Sequence, residues 1–277
     1  GKDVQSKINR SVFIYEKIIF GAKKEEENTM ENMEYFYELF RGLPRGGPGD
    51  NDSTRKAFSY LNDLPVKPLM LDIGCGPGMQ TIEVAKLSRG MVIALDNYQP
   101  FLDKLMQTAK IENVQKNIIP KLQSMHEMDF EIETFDVIWS EGALYFLGFK
   151  NGLTECYRLL KPGGYLAVTE AVYLKPDPPE PVVDFWKEYP DITDIQGNID
   201  LIKSTDFELI THFTLPASSW TDDYYDPMEK RIKILKEKYD GNKEALDVLR
   251  SMQKEIDVFR SYSEYFSYEF FVMRKNE

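Results

Sequence analysis

The chain has 277 residues, a formal net charge of −12 at pH 7 and a sequence pI near 4.9. This charge disfavours a nucleic-acid substrate, because phosphate binding requires a basic face. The length allows one large domain or two modest ones, and we expect one domain with additions. Cys75 and Cys156 form neither a disulfide framework nor a zinc pattern, so we expect both thiols to be reduced.

Membrane and export signals are weak in this sequence. No apolar run approaches the roughly 20 residues that a membrane-spanning helix needs. The polar first residues also lack the apolar segment of a signal peptide. We therefore expect no membrane span and a cytoplasmic location.

Residues 1–65 are predicted to form an N-terminal helical segment followed by a lid loop. An apolar patch at residues 12–20 fits an amphipathic helix, either packed on the body or bound to a partner. A second helix is predicted over residues 30–41, where apolar side chains repeat at helical spacing. The glycine-rich residues 42–54 then read as a loop, with Asp52 or Ser53 capping the next helix.

From residue 68 the pattern alternates strand, turn and helix, which predicts a mostly parallel sheet with helices on both faces. The predicted strands span residues 69–73, 91–95, 117–123, 135–140, 165–173, 207–215 and 269–273. The charged residues 226–260 have apolar positions at helical spacing, so we interpret them as a helical insertion before the last strand.

Three alternate glycines, Gly74, Gly76 and Gly78, follow the first predicted strand. Glycine lets the backbone turn sharply and approach a ligand, and the N–H groups of the next helix suit a polar ligand. The turn therefore indicates a nucleotide-cofactor loop. Its Gly-x-Gly-x-Gly spacing, with Asp72 ahead, differs from the Gly-x-Gly-x-x-Gly of dinucleotide folds and argues against NAD.

Residues 71–78, with Asp96 downstream, resemble motif I and the following acidic motif of class I S-adenosylmethionine (SAM) methyltransferases. Residues 135–140 are similar to the fourth strand of that family, and residues 160–165 to the Lys-Pro-Gly-Gly turn that opens its fifth. Residues 138–143, and the loop 45–49 with Thr54, resemble a bacterial and archaeal small-molecule subgroup of the type 11, ubiquinone and menaquinone biosynthesis kind.

The resemblance implies an α/β fold: a doubly wound, Rossmann-like, seven-stranded and mostly parallel sheet with an N-terminal helical lid and a C-terminal helical insertion. We expect residues 66–216 to form the SAM-binding core, residues 217–262 a helical cap near the active site, and residues 263–277 the last strand of the sheet.

By the same resemblance, the cofactor is SAM, its product is S-adenosylhomocysteine, and no metal ion is expected. Asp96 would accept the ribose hydroxyls, or else cap the next helix. Asp72 would face the methionine amino group, or else hold the glycine loop through its backbone. The other cofactor-binding candidates are Gly74, Cys75, Gly76, Gly78, Gln80, Thr81, Asn97, Ser124, Met125, Glu141 and Gly142.

No catalytic residue is identified by the sequence, and the candidates are Glu141, Tyr145 and His126. Glu141 could compensate the sulfonium charge, act as a general base or be structural, and His126 is either a base or a solvent-exposed loop residue. Aromatic side chains near the expected cap, which either line a substrate pocket or pack in the core, are Tyr145, Tyr173, Trp186, Trp220 and Tyr224.

We therefore expect a SAM-dependent methyltransferase that moves a methyl group to a small-molecule acceptor by direct displacement, catalysed chiefly by alignment in a dry pocket. Two alternatives remain: an NAD-dependent oxidoreductase, and a non-catalytic SAM-binding regulatory protein. A homodimer is one assembly that the sequence allows.

Overall fold

The computed structural model describes residues 34–276 of the chain. The predicted helix at residues 12–20, and the start of the one predicted over residues 30–41, lie outside this range. The described part of that second helix, α1, covers residues 34–40.

The described residues form one sheet of eight strands, named here in chain order: β1 Leu69–Ile73, β2 Met91–Asp96, β3 Ile118–Leu122, β4 Phe135–Ser140, β5 Leu160–Tyr173, β6 Thr193–Asp194, β7 Phe207–Thr214 and β8 Phe266–Lys275. After α1, the α-helices of at least seven residues are α2 Asn51–Phe58, α3 Met79–Ser88, α4 Gln99–Ile111, α5 Phe149–Leu159, α6 Glu180–Trp186, α7 Ile195–Lys203, α8 Asp226–Lys238 and α9 Lys243–Tyr262.

The order of the sheet is β3-β2-β1-β4-β5-β8-β7, and the two-residue β6 pairs with the end of β5. The first five strands are parallel, whereas β8 runs antiparallel between β5 and β7. The predicted doubly wound, mostly parallel sheet is thus confirmed, with seven strands on its main path and β6 beside it.

Helices cover both faces of the sheet, and this explains the nearly uninterrupted apolar sequence of its central strands. Neighbouring residues of a strand point to opposite faces, so Trp139 and Ile138 on β4 belong to separate apolar clusters. Both side chains have no exposed surface. The core therefore consists of two layers with the sheet between them.

The helix after the lid loop begins earlier than we expected. Asp50, in an extended conformation, accepts a hydrogen bond from the backbone N–H of Ser53 at 2.7 Å and caps α2. The prediction of Asp52 or Ser53 as the cap was wrong because both lie inside the first turn. Asp50 also accepts a hydrogen bond from the hydroxyl of Ser219 in the segment after β7.

Residues 217–262, which we call the helical cap, are mostly helical and include a π-helical turn at Thr221–Tyr225 before α8 and α9. Arg231 on α8 donates hydrogen bonds of 2.7 Å to the main-chain oxygens of Glu38 and Leu39 at the end of α1. The cap and α1 therefore pack together beside the carboxyl edge of the sheet.

Within residues 34–276, the structure contains no helix of the length and apolarity that crossing a bilayer would demand.

Candidate active site

A cavity opens at the carboxyl ends of β1, β2 and β4. The strand order reverses between β1 and β4, and open α/β sheets bind their ligands at such a switch point. One wall comes from the sheet, and the opposite wall comes from α1 and the lid loop. The predicted cofactor residues that line it are Gly74, Cys75, Gly76, Gln80, Asp96, Asn97, Met125, Glu141 and Gly142.

The glycine loop between β1 and α3 is held against β2. The backbone N–H groups of Gly74 and Cys75 both donate to the carbonyl oxygen of Leu95, at 2.9 and 3.0 Å. Gly76 has a φ of +55°, a conformation that side chains other than glycine rarely adopt, and its backbone faces Gly46 of the lid loop. The loop therefore presents bare backbone to the cavity.

Asp96 ends β2 and lines the cavity beside this loop. One carboxylate oxygen accepts the N–H of Gly76 at 2.9 Å, and the other accepts the N–H of Tyr98 at 2.9 Å. Burial raises the pKa of Asp96 to about 6, although these backbone hydrogen bonds oppose the rise. Each oxygen retains a lone pair, so the carboxylate can accept further hydrogen bonds from a ligand.

Asp72 lies behind the glycine loop rather than on the cavity wall. Its Oδ2 accepts the hydroxyl of Thr81 at 2.6 Å, whereas its buried Oδ1 has no hydrogen-bond partner among the described residues. Burial raises its pKa to about 7, and the Glu141 carboxylate adds to the rise. Thr81, Gly78 and Ser124 likewise do not line the cavity; Gly78 is the N-cap residue of α3, and Ser124 caps the turn that follows β3.

Glu141, just after β4, lies at the centre of a buried polar cluster. Its Oε1 accepts hydrogen bonds from the Thr54 hydroxyl at 2.7 Å and from the Trp139 indole N–H at 2.9 Å. Its Oε2 forms an ion pair with the guanidinium of Arg45. Three donors from three segments thus occupy the Glu141 carboxylate and fix the lid loop to the sheet.

Two candidate sets lie elsewhere. His126 lines a separate pocket next to Leu147 and Arg158. The five proposed pocket aromatics do not line the main cavity formed by the described residues: Tyr145, Tyr173, Trp186, Trp220 and Tyr224. Core packing accounts for several of them, since Trp220 stacks on Phe259 at 4.8 Å between ring centroids. The aromatic side chains that do line the cavity are Phe36, Tyr37, Phe40, Phe101 and Phe146.

The sequence predicted an N-terminal helical lid, but it did not identify Arg45 or the aromatic side chains of α1 as residues that line the site. The helical spacing of Phe36, Tyr37 and Phe40 identified their helix but not the cavity that they face. Most arginines are exposed, so an arginine in a glycine-rich loop gives little reason to predict a buried site residue from the sequence. Within residues 34–276, no group of three or more His, Cys, Asp or Glu side chains is placed to hold a metal ion.

A glycine loop after β1, an acid at the end of β2 and an antiparallel β8 between β5 and β7 define a class I methyltransferase fold. The comparisons agree. Residues 70–164 match the family described as "Methyltransferase domain".

Two relatives match longer parts of the chain. It is 27% identical over 175 residues to (+)-O-methylkolavelool synthase of Herpetosiphon aurantiacus, an overlap of 60% of this chain and 62% of the relative. It is 27% identical over 187 residues to the demethylmenaquinone methyltransferase of Lactobacillus johnsonii, covering 62% and 71%. The chain thus spans less than two thirds of the first relative.

A solved structure reproduces the fold over most of the chain. The SAM-dependent methyltransferase of Geobacter sulfurreducens, crystallised with S-adenosyl-L-homocysteine, superimposes with a TM-score of 0.77 at 17% identity. The match covers 87% of this chain and 97% of that protein. The two proteins therefore share the fold over most of this chain.

Proposed function

We propose that this chain transfers a methyl group from SAM to a small-molecule acceptor. The observation that carries the proposal is the shared cavity of the bare glycine loop and Asp96 at the switch point of the sheet. The methyltransferase-domain match over residues 70–164 supports the same activity.

The side chains that line the cavity suit the chemical groups of the cofactor. Asp96 has acceptor capacity for two ribose hydroxyls, and the apolar Leu95, Phe101 and Met125 suit a planar base. Asn97 and Gln123 line the same end and offer amide groups to the edge of that base. Asp72, whose Oδ1 lacks a partner among the described residues, would compensate the methionine ammonium through a water molecule.

SAM, when bound, supplies an electrophilic methyl group on a sulfonium. The residues of this chain then align an acceptor and exclude water. Ala143, Phe146, Phe36 and Phe40 give the cavity apolar walls near Gly142 and the lid loop. A desolvated, oriented acceptor atom needs no further activation where it is already nucleophilic, so alignment is the main contribution to rate.

The geometry favours alignment over general-base catalysis by the candidate residues. The Glu141 carboxylate is occupied by Arg45, Thr54 and Trp139, and His126 faces a different pocket. We infer that Glu141 is a positioning residue that holds the lid loop over the cavity.

We propose an acceptor that is a small and largely apolar molecule, because the cavity wall outside the expected cofactor end is mainly aromatic and aliphatic. The names of two relatives refer to kolavelool and demethylmenaquinone, which are small molecules. The homodimer and the cytoplasmic location stay predictions; sedimentation equilibrium would test the first.

Two measurements test the function. Calorimetric titration should show binding of SAM and S-adenosylhomocysteine but not of NAD. A screen of quinols, phenols, amines and terpenoid alcohols, with release of S-adenosylhomocysteine as the readout, should find an acceptor. Absence of binding by both SAM-type ligands would overturn the proposal, and binding without turnover on any acceptor would favour a regulatory protein.

A further inference from the structure

Arg45 is a buried cation on the cavity wall. The residue is 2% exposed and lies in the lid loop between α1 and α2. Its Nη2 pairs with the Glu141 carboxylate, but its Nε and Nη1 are buried without a hydrogen-bond partner among the described residues. A buried, charged donor without a hydrogen-bond partner lowers the stability of the folded state. These two nitrogen atoms therefore indicate that a ligand with hydrogen-bond acceptors binds beside Arg45.

The surroundings of Arg45 place that acceptor above the glycine loop. A Cβ atom built on the adjacent Gly46 would lie 3.6 Å from Pro77 Cδ and 3.9 Å from the Gly76 Cα. One built on Gly47 would lie 4.0 Å from the carbonyl oxygen of Gly142. Arg45 therefore stands at the start of a segment that bridges the glycine loop and the residues after β4.

This is the opposite end of the cavity from the ribose residue Asp96. Asp96 ends β2, and Glu141, the partner of Arg45, follows β4, with β1 between these two strands. Strands are about 4.8 Å apart, so the two positions are separated by about 10 Å. A nucleoside whose ribose meets Asp96 would direct its amino-acid end toward Arg45.

The charges around Arg45 indicate which group of the ligand it binds. Asp72 and Glu141 lie close enough for their charges to interact, and Arg45 acts on the same Asp72 carboxyl. An amino-acid end carries both an ammonium and a carboxylate. Asp72 suits the ammonium, and the guanidinium suits the carboxylate because charge-assisted N–H···O bonds are the strong ones.

We propose that Arg45 binds the α-carboxylate of the methionine part of SAM and S-adenosylhomocysteine, with Glu141 holding its guanidinium in place. The inference rests on the proposed cofactor. In this proposal the lid loop is part of the cofactor site, and its Arg45 binds the amino-acid end of the ligand.

The test compares two ligands that differ in that end. S-adenosylhomocysteine carries the carboxylate, whereas 5′-methylthioadenosine keeps the adenosine and thioether and lacks the amino-acid end. Calorimetric titration of Arg45→Met should show S-adenosylhomocysteine binding weakened by about 10- to 100-fold, the effect of losing a hydrogen bond to a charged group. Binding of 5′-methylthioadenosine should stay within about twofold of the wild-type value.

Two further variants separate ligand binding from folding. Arg45→Met leaves Glu141 buried without its cation, so the double variant Arg45→Met, Glu141→Gln removes both charges and should show the same selective loss. Arg250→Met on the exposed face of α9 is the matched control and should change neither affinity.

Equal weakening of both ligands, or no weakening of either, in a variant with native circular dichroism would overturn the assignment. A raised KM for the acceptor with unchanged S-adenosylhomocysteine affinity would also overturn it and place an acceptor anion at Arg45. If the wild-type protein binds neither nucleoside, the proposed function itself fails, which is a separate result from a failed discrimination between the two.

Discussion

Gly74 faces Ala143 so closely that a Cβ atom built on Gly74 would lie 2.4 Å from the Cβ of Ala143. This contact joins the glycine loop after β1 to the segment after β4, the two elements that flank the switch point. Gly74 also has a φ of +71°, so a larger residue would be strained as well as crowded. The spacing between the glycine loop and the segment after β4, which both line the cavity, therefore depends on the contact between Gly74 and Ala143.

We expect Gly74→Ala to displace Ala143 and to distort the cofactor site. Backbone strain and overpacking each cost on the order of 1–3 kcal/mol, so the free energy of unfolding should fall by about that amount. S-adenosylhomocysteine affinity should fall at least tenfold, because the loop moves against its ligand. Urea denaturation and calorimetric titration measure the two effects.

Gly241 supplies the matched control for this variant. It has a φ of +79°, but an added Cβ would meet no atom within 4 Å among the described residues. Gly241→Ala should therefore show the strain without the collision and leave S-adenosylhomocysteine binding unchanged. Equal loss of affinity in both variants would contradict a role for the Gly74–Ala143 contact.

Asp96 should make cofactor binding depend on pH. Burial raises its pKa to about 6, so the carboxylate that we propose as the acceptor for the ribose hydroxyls becomes protonated as the pH falls through that value. S-adenosylhomocysteine should bind less tightly at pH 5 than at pH 7.5, and Asp96→Asn should weaken binding at pH 7.5 by about tenfold or more. The pH dependence of the variant should be shallower, with the remainder due to Asp72, whose pKa is about 7. Parallel pH curves for the two proteins would exclude Asp96 as the titrating group.

Thr54 tests the anchoring of the lid loop to Glu141. Thr54→Val keeps the shape of the side chain but removes the 2.7 Å hydrogen bond to the Glu141 carboxylate. A hydrogen bond to a charged group contributes about 1.5–3 kcal/mol, so we expect a loss of this order in the free energy of unfolding. Amide hydrogen exchange over residues 45–50 should accelerate in the same variant.

Thr108→Val provides the comparison for Thr54. The Thr108 hydroxyl is exposed on α4 and donates to the carbonyl oxygen of Lys104 at 3.1 Å. Its loss should change stability by less than about 0.5 kcal/mol. If Thr54→Val is equally mild, the Glu141 cluster does not hold the lid loop.

Ionisation of Glu170 on β5 should lower the free energy of unfolding as the pH rises. Burial raises its pKa from 4.5 to about 8, even though Tyr189 donates to it at 2.7 Å. The folded state thus binds the proton more tightly than the unfolded state, so the stabilisation present below about pH 4.5 is lost as the pH rises through about 8.

The variant Glu170→Gln is neutral at every pH, so its free energy of unfolding should decline less between pH 6 and 8 than that of the wild type. One group with such a raised pKa makes the free energy of unfolding fall by up to about 1.4 kcal/mol per pH unit. Denaturation of wild type and variant across this range measures it. Glu131→Gln, an exposed residue before β4, should leave the wild-type slope intact. A slope unchanged by Glu170→Gln would mean that other buried carboxyls produce it.

The sheet and the glycine loop could be predicted because their signals are local. β1 and the loop lie within ten residues of each other, and the alternation of strands and helices continues to β5. The start of β5 was harder to predict from the sequence. The strand begins at Leu160 rather than Tyr165 because Leu160 pairs with Phe135 of β4, and this pairing is set by tertiary structure.

The walls of the cavity could not be predicted for the same reason. Arg45 and Glu141 are 96 residues apart, and nothing in the sequence near either one specifies the other. Aromatic residues were misleading because burial in a core and exposure to a cavity require the same side chains. Trp220 packs in the core, whereas Phe36 and Phe146 line the cavity.

The contact between α1 and α8 joins two segments that are synthesised far apart in time. Arg231 reaches the carbonyl oxygens of Glu38 and Leu39 across more than 190 residues of chain. Contacts of such sequence separation carry a loop-closure cost that local contacts avoid. During synthesis the α1 wall therefore gains this support only after Arg231 has left the ribosome, when the parallel strands have already been made. One wall of the cavity therefore depends on a segment that is synthesised after the strands that form its floor.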